Sequence, residues 1–163
     1  DLIIIAWVLC VVRAGYRDGS MSGGRVVCLC CVSGPFTIAA GLVADVSVIV
    51  VDIDEAAVQL AREGAARAGL AQASFEVADL GAWHRPGAFD TAIMNPPFGA
   101  QAANRHADRL FLARPAEGVK PAGCVYFLAQ ERTGRFLEAF DERSGAQLAA
   151  VGGGETRRER TVG

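Results

Sequence analysis

The chain has 163 residues, 52% hydrophobic and 21% charged, with a net charge of −2. That is the balance of one folded domain, and it excludes a global basic field of the kind that advertises nucleic-acid binding. Charge is nonetheless uneven: residues 1–103 carry 6 basic and 10 acidic groups, residues 104–163 carry 10 and 8, and the later part, at net +2, is the better candidate to meet phosphates.

The apolar opening, Leu2–Val12, is 11 residues long, whereas a membrane span needs about 20. No positively charged leader precedes it, so a buried first helix is expected and no membrane attachment. The sequence starts with Asp, which fits a fragment or a chain without its native N-terminus. Five cysteines, at 10, 28, 30, 31 and 124, are an odd number. They argue against a disulfide framework and for a reducing compartment, hence a cytoplasmic location.

From residue 25 onward, strand and helix signals alternate. Arg25–Val32 is a short apolar run, and Val43–Asp52 is a second, rich in β-branched residues. Asp54 is a natural N-cap for a helix in which Val58, Ala61, Ala65 and Ala68 recur at helical spacing, and Gly69 is placed to stop it. Phe75–Ala78 and Phe89–Met94 read as the third and fourth strands, and His106–Glu117 as a helix. Cys124–Ala129 reads as the fifth strand, Phe136–Phe140 as part of a further helix, and Gln147–Val151 as a sixth strand. Such alternation predicts an α/β fold: a doubly wound, mainly parallel sheet covered on both faces. Residues 1–151 are expected to form a single domain. Residues 152–163, which open Gly-Gly-Gly and continue ETRRERTVG, are expected to be a disordered tail.

In open α/β sheets ligands sit beyond the carboxyl ends of the strands. The first run leads into Ser33-Gly34-Pro35, the second ends at Asp52, the third at Asp79 and the fourth at Asn95. One carboxylate after the second strand can accept both hydroxyls of a ribose. Asp79 could accept from the exocyclic amine of an adenine. Each aspartate also has a plainer explanation, helix capping for Asp52 and turn formation for Asp79. Their order together with Asn95 is what favours a ligand. The stretch Asn95-Pro96-Pro97-Phe98 adds a stiff polar ledge, because two prolines lock φ and supply no donors. Single residues carry less: Trp83 and His84 read as surface loop, and His106, Arg109, Arg132 and Arg135 as solvated charge or phosphate contacts.

Taken together, VVDIDEAAVQLARE, FEVADL, FDTAIMNPPFG and NRHADRLFL resemble S-adenosylmethionine-dependent adenine-N6 methyltransferases. The similarity is strongest to the small archaeal and eukaryotic ribosomal-RNA adenine methyltransferases, whose motif is Asn-Pro-Pro-Phe, and it covers roughly residues 25–140. It implies a Rossmann-like sheet of order 3-2-1-4-5 with a further strand beyond the fifth; the family's last antiparallel strand is not evident after residue 151. It implies S-adenosylmethionine bound by Cys28, Cys30, Gly34, Asp52, Ile53, Asp79, Leu80 and Asn95, with catalysis by Asn95, Pro96, Pro97 and Phe98 and no metal. The Asn95 side-chain oxygen and the Pro96 carbonyl would accept the two N–H groups of the target amine, and Phe98 would stack on the extruded base. RNA is the implied substrate, with a small zinc-binding activator subunit at the sheet edge formed by Phe75–Ala78.

The first loop departs from the family pattern Asp-Leu-Gly-Cys-Gly-Thr-Gly. Cys28 stands where that pattern has an acidic residue, and Cys30 and Val32 stand where it has glycines. That departure keeps open a non-catalytic module binding adenosine or RNA. The Asn-Pro-Pro-Phe motif, which the resemblance implies is shared with other N-methyltransferases, keeps open one acting on DNA or protein glutamine. A zinc site at Cys28, Cys30 and Cys31 is disfavoured, because adjacent strand residues point to opposite faces.

Overall fold

The structure, a computed structural model, describes residues 23–30, 35–43, 46–95, 105–128, 147–152 and 155–156. Strand β1 (Arg25–Leu29) is followed by α1 (Pro35–Val43), β2 (Ser47–Asp52), α2 (Glu55–Arg67), β3 (Ala73–Val77) and β4 (Phe89–Met94). Then come α3 (Arg105–Gly118), β5 (Val119–Leu128), β6 (Gln147–Gly152) and β7 (Glu155–Thr156). The strands form one sheet in the order β3-β2-β1-β4-β5-β6-β7, parallel throughout except for the antiparallel β6–β7 pair. The expected doubly wound order is therefore observed.

Alternation along the strands makes two cores. Val26, Cys28, Val48, Val50, Ile93 and Tyr126 face Ala40 of α1 and Ala61 of α2. Val27, Leu29, Ile49, Val51, Ala92, Met94 and Phe127 face Leu112 of α3 together with Leu80 and Trp83. Helix α2 forms where its caps and stripe agree. The Asp54 side chain accepts from the Ala56 N–H at 2.9 Å, and Ala57, Val58, Ala61 and Ala65 lie buried. Gly69, at φ +71°, ends it in a backbone shape that suits glycine. Burying one such valine is worth about 1.5–3 kcal/mol, so Val58 outweighs any single exposed pair on this helix.

Several expectations need correction. Val43 ends α1 rather than opening β2, which begins at Ser47. Trp83 is no surface residue: it is 7% exposed, stacks on Phe89 with ring centroids 5.8 Å apart, and donates Nε1–H to Glu76 at 3.1 Å. Strand β5 begins five residues before Cys124, at Val119, through a register shift opposite Phe89–Thr91. Gly123 makes the shift possible: a Cβ there would lie 2.9 Å from the Asp90 carbonyl oxygen and 2.8 Å from the Val119 Cβ. The end of the chain is not all tail, since Gly152, Glu155 and Thr156 are in strands, and β7 supplies an antiparallel strand after residue 151. Leu2–Val12, Arg132, Arg135 and the Phe136–Phe140 helix lie outside the described residues. Among the described residues no helix is long and apolar enough to cross a membrane.

Candidate functional site

The carboxyl ends of β1, β2, β3 and β4 are tied to one another by backbone hydrogen bonds. Cys30 N–H donates to the Val51 carbonyl at 3.1 Å, Asn95 N–H to the Leu29 carbonyl at 3.3 Å, and Ala78 N–H to the Asp52 carbonyl at 2.9 Å. Asp52, Asp79 and Asn95 thus lie at the carboxyl ends of β2, β3 and β4 on one rim, the place where parallel sheets with this order bind ligands. β1 occupies the switch point between β2 and β4, and Cys30 follows it directly.

Asp52 holds its own turn. Its Oδ1 accepts from the Asp54 N–H at 3.1 Å, while helix capping falls to Asp54. The residue is 9% exposed, and its Oδ2 is buried with no hydrogen-bond partner among the described residues. An unpartnered buried carboxylate oxygen costs free energy, on the order of 1–3 kcal/mol, unless donors reach it. Ribose hydroxyls are such donors, so this side chain fits a nucleoside cofactor. Ile53 is 68% exposed and Val77, the register partner of Asp52 on β3, is 52% exposed. Both aliphatic side chains are thus exposed near this strand end.

Asp79 makes a similar turn, with Oδ1 accepting from the Gly81 N–H at 2.7 Å, but it is exposed. Its backbone carbonyl accepts from Ala82 and Trp83 at 3.0 and 2.9 Å. Leu80 is buried at 7% exposure, so its side chain belongs to the core, and only its backbone is placed to meet a ligand. Asn95 is half-buried and closes β4.

The two described cysteines at the end of β1 differ from each other. Cys28 is fully buried in the core facing α1 and α2, which leaves its thiol no surface to offer a ligand. Cys30 sits at φ +53°, the left-handed region that favours glycine. At this one position the backbone takes a conformation that suits glycine while the sequence has cysteine. Burial, and secondarily the charge of Asp52, push the Cys30 thiol up to about 12, so it stays protonated and poorly nucleophilic at neutral pH. Gly34, Pro96, Pro97 and Phe98 lie outside the described residues, as do the side chains of His106 and Arg109.

One contributor to this rim carries no local signal in the sequence. Arg114 of α3 donates Nε–H to the Leu80 carbonyl at 3.3 Å and an Nη2–H to the Gly81 carbonyl at 3.0 Å. The contacts span 34 and 33 residues, beyond the reach of any motif.

Comparison with known proteins agrees with this geometry. Among solved structures, the chain is similar to a Pyrococcus horikoshii protein described as a candidate RNA methyltransferase, at 29% identity and a TM-score of 0.70, covering 87% of this chain and 66% of that one. It is also similar to a Thermoplasma acidophilum protein at 27% identity and a TM-score of 0.68, covering 85% and 67%. Thermus thermophilus TrmN matches at 26% identity and a TM-score of 0.58, covering 71% and 36%. The chain thus spans about two thirds of the first two structures. No curated protein sequence matches it. The family model for the methyltransferase small domain matches residues 18–142, a segment that contains the strand ends carrying Asp52, Asp79 and Asn95. On that match and this fold, the chain belongs to the methyltransferase small domain family.

Proposed function

We propose that the protein methylates the exocyclic N6 of an adenine in RNA, with ribosomal RNA as the favoured acceptor. S-adenosylmethionine is the cofactor of the family, and it supplies an electrophilic methyl without metal or covalent enzyme chemistry. The observation that carries the reading is the buried, unpaired Asp52 Oδ2 on the same rim as Asn95. Asp52 would accept the ribose hydroxyls, with Ile53 and Val77 against the adenine face and Asp79 or the Leu80 backbone at its polar edge. Cys30 and Gly34 would border the methionine end, and the fully buried Cys28 leaves that set. Asn95 and the Pro96 carbonyl would each accept one N–H of the target amine, and Phe98 would stack on the base. An aromatic amine is a weak nucleophile because its lone pair is delocalised. Acceptors fixed by two prolines hold the nitrogen in line and stabilise its developing positive charge. The RNA assignment draws on the description of the Pyrococcus protein, and the adenine assignment on the Asn-Pro-Pro-Phe motif.

Transfer of a labelled methyl group from S-adenosylmethionine to separate RNA, DNA and protein pools tests this reading. Label on N6-methyladenine in RNA is the expected result, and exclusive label on DNA or on protein glutamine would replace it. Asn95→Ala should lower the transfer rate by about 10²–10³ and leave cofactor affinity nearly unchanged. A second reading, a binding module without turnover, is favoured by the cysteine at φ +53° where the family has glycine. It predicts no label in any pool. A small zinc-binding partner on the open edge of β3 belongs to the first reading, and a purified monomer with full activity would remove it.

A further inference from the structure

We infer that Arg114 is a positioning residue for the cofactor's adenine end, an inference that rests on the cofactor site proposed above. The turn after β3 carries Asp79 and Leu80. Within it, the Asp79 side chain and carbonyl bond the N–H groups of Gly81, Ala82 and Trp83. Those bonds do not use the carbonyls of Leu80 and Gly81. Both are taken by Arg114, through Nε at 3.3 Å and Nη2 at 3.0 Å.

The third nitrogen makes a surface ion pair within its own helix, a contact the two turn bonds do not depend on. Nη1 donates to Glu117 Oε2 at 2.7 Å and lies 3.5 Å from His84 Nδ1. The Arg114 side chain is 22% exposed; its bond to the Leu80 carbonyl is partly buried, and its contacts to Gly81, Glu117 and His84 lie at the surface. Two further contacts fit the turn to the helix. Leu80 packs in the same core as Leu112, and a Cβ on Gly81 would meet Leu110 at 3.5 Å. A planar fork with donors on three nitrogens can hold two carbonyls and a carboxylate at once, whereas an ammonium cannot match that geometry.

The consequence is a link between the two halves of the site. Helix α3 follows the chain segment that contains the Asn-Pro-Pro-Phe ledge, and Arg114 fixes the adenine-side turn to that helix. The position of Asp79 and of the Leu80 backbone is therefore set by α3 and not by β3 alone.

Isothermal titration with S-adenosylmethionine tests this on the wild type and on Arg114→Ala, Arg114→Lys, Glu117→Ala and Asp52→Asn, with circular dichroism to compare folded content. Arg114→Ala should bind about tenfold more weakly, the effect of losing charge-assisted bonds to a ligand-bearing turn. Arg114→Lys should recover part of that loss by reaching one carbonyl. Glu117→Ala keeps both turn bonds and should bind within about twofold of wild type. Affinity in Arg114→Ala equal to wild type, alongside lost binding in Asp52→Asn, overturns the Arg114 inference and spares the cofactor site. Equal losses in Arg114→Ala and Glu117→Ala also overturn it, by showing a general role of the helix surface. Binding in Asp52→Asn as tight as wild type, or no binding by the wild type, removes the cofactor site and the inference with it. Should Arg114→Ala lose folded content, Arg114→Lys decides: unchanged affinity overturns the inference, and a partial loss supports it.

Discussion

Two turns on the same rim use the same local chemistry and differ in what they leave over. In each, an aspartate ending a strand accepts the N–H two residues on, at 3.1 Å for Asp52 and 2.7 Å for Asp79. Turn formation alone accounts for the exposed Asp79, whose other oxygen can be hydrated. It does not account for Asp52, whose second oxygen is buried and has no partner among the described residues. A carboxylate kept there against its desolvation penalty is better explained by a ligand than by the turn. On the proposed cofactor site, the difference separates a residue that shapes the turn from one placed to meet an occupant.

That contrast can be broken most directly at Asp52. Asp52→Asn keeps an oxygen for the Asp54 N–H and removes the buried charge. It should weaken S-adenosylmethionine binding at least about tenfold while the ligand-free melting temperature holds or rises, measured by titration and calorimetry on the same sample. Asp79→Ala should show the reverse weighting. Losing its turn bond costs about 1 kcal/mol, a fall of roughly 2–4 °C in melting temperature at this chain length, with a smaller loss of affinity than Asp52→Asn. A larger affinity loss at Asp79 than at Asp52 would overturn the distinction. The smallest effect concerns Cys30. With its thiol held near 12 by burial and by Asp52, alkylation of the Cys30 peptide should stay slow from pH 7 to pH 10 in the folded protein. It should become fast near pH 8.5 once the chain is unfolded. Asp52→Asn should raise the folded-state rate only modestly, since burial is the larger cause. Peptide mapping by mass spectrometry after timed labelling reads both.

Much of the fold was legible because local and global signals agree. Phe89–Met94 is bounded by its pattern alone, and Asp54 and Gly69 mark the limits of α2 through capping chemistry. Helix α1 was not legible: PFTIAAGLV is apolar almost throughout, so it shows no stripe, and its buried Thr37 and Ala40 emerge only against the sheet. Trp83 was misplaced because Trp-His-Arg-Pro-Gly has loop composition, while its burial depends on Phe89 and Glu76. The start of β5 was hidden by Pro121, which lacks a ladder donor and so argues against a strand that a bulge in fact accommodates. At the site, the order Asp52, Asp79, Asn95 could be read from strand ends. The orphaned oxygen, the left-handed Cys30 and the Arg114 fork required coordinates, because each depends on partners distant in sequence or on a backbone angle.

The central place of β1 has a consequence for how the chain is made. Val26–Leu29 are fully buried, yet one edge of their strand pairs with β4, whose last residue, Met94, comes 65 positions after Leu29. At ordinary translation speeds that interval is roughly 3 to 13 seconds, during which a strand of the apolar core has an unsatisfied backbone edge. Fragments ending before Phe89 should therefore collect as insoluble material, and synthesis rate, more than final stability, should govern the yield of the folded protein.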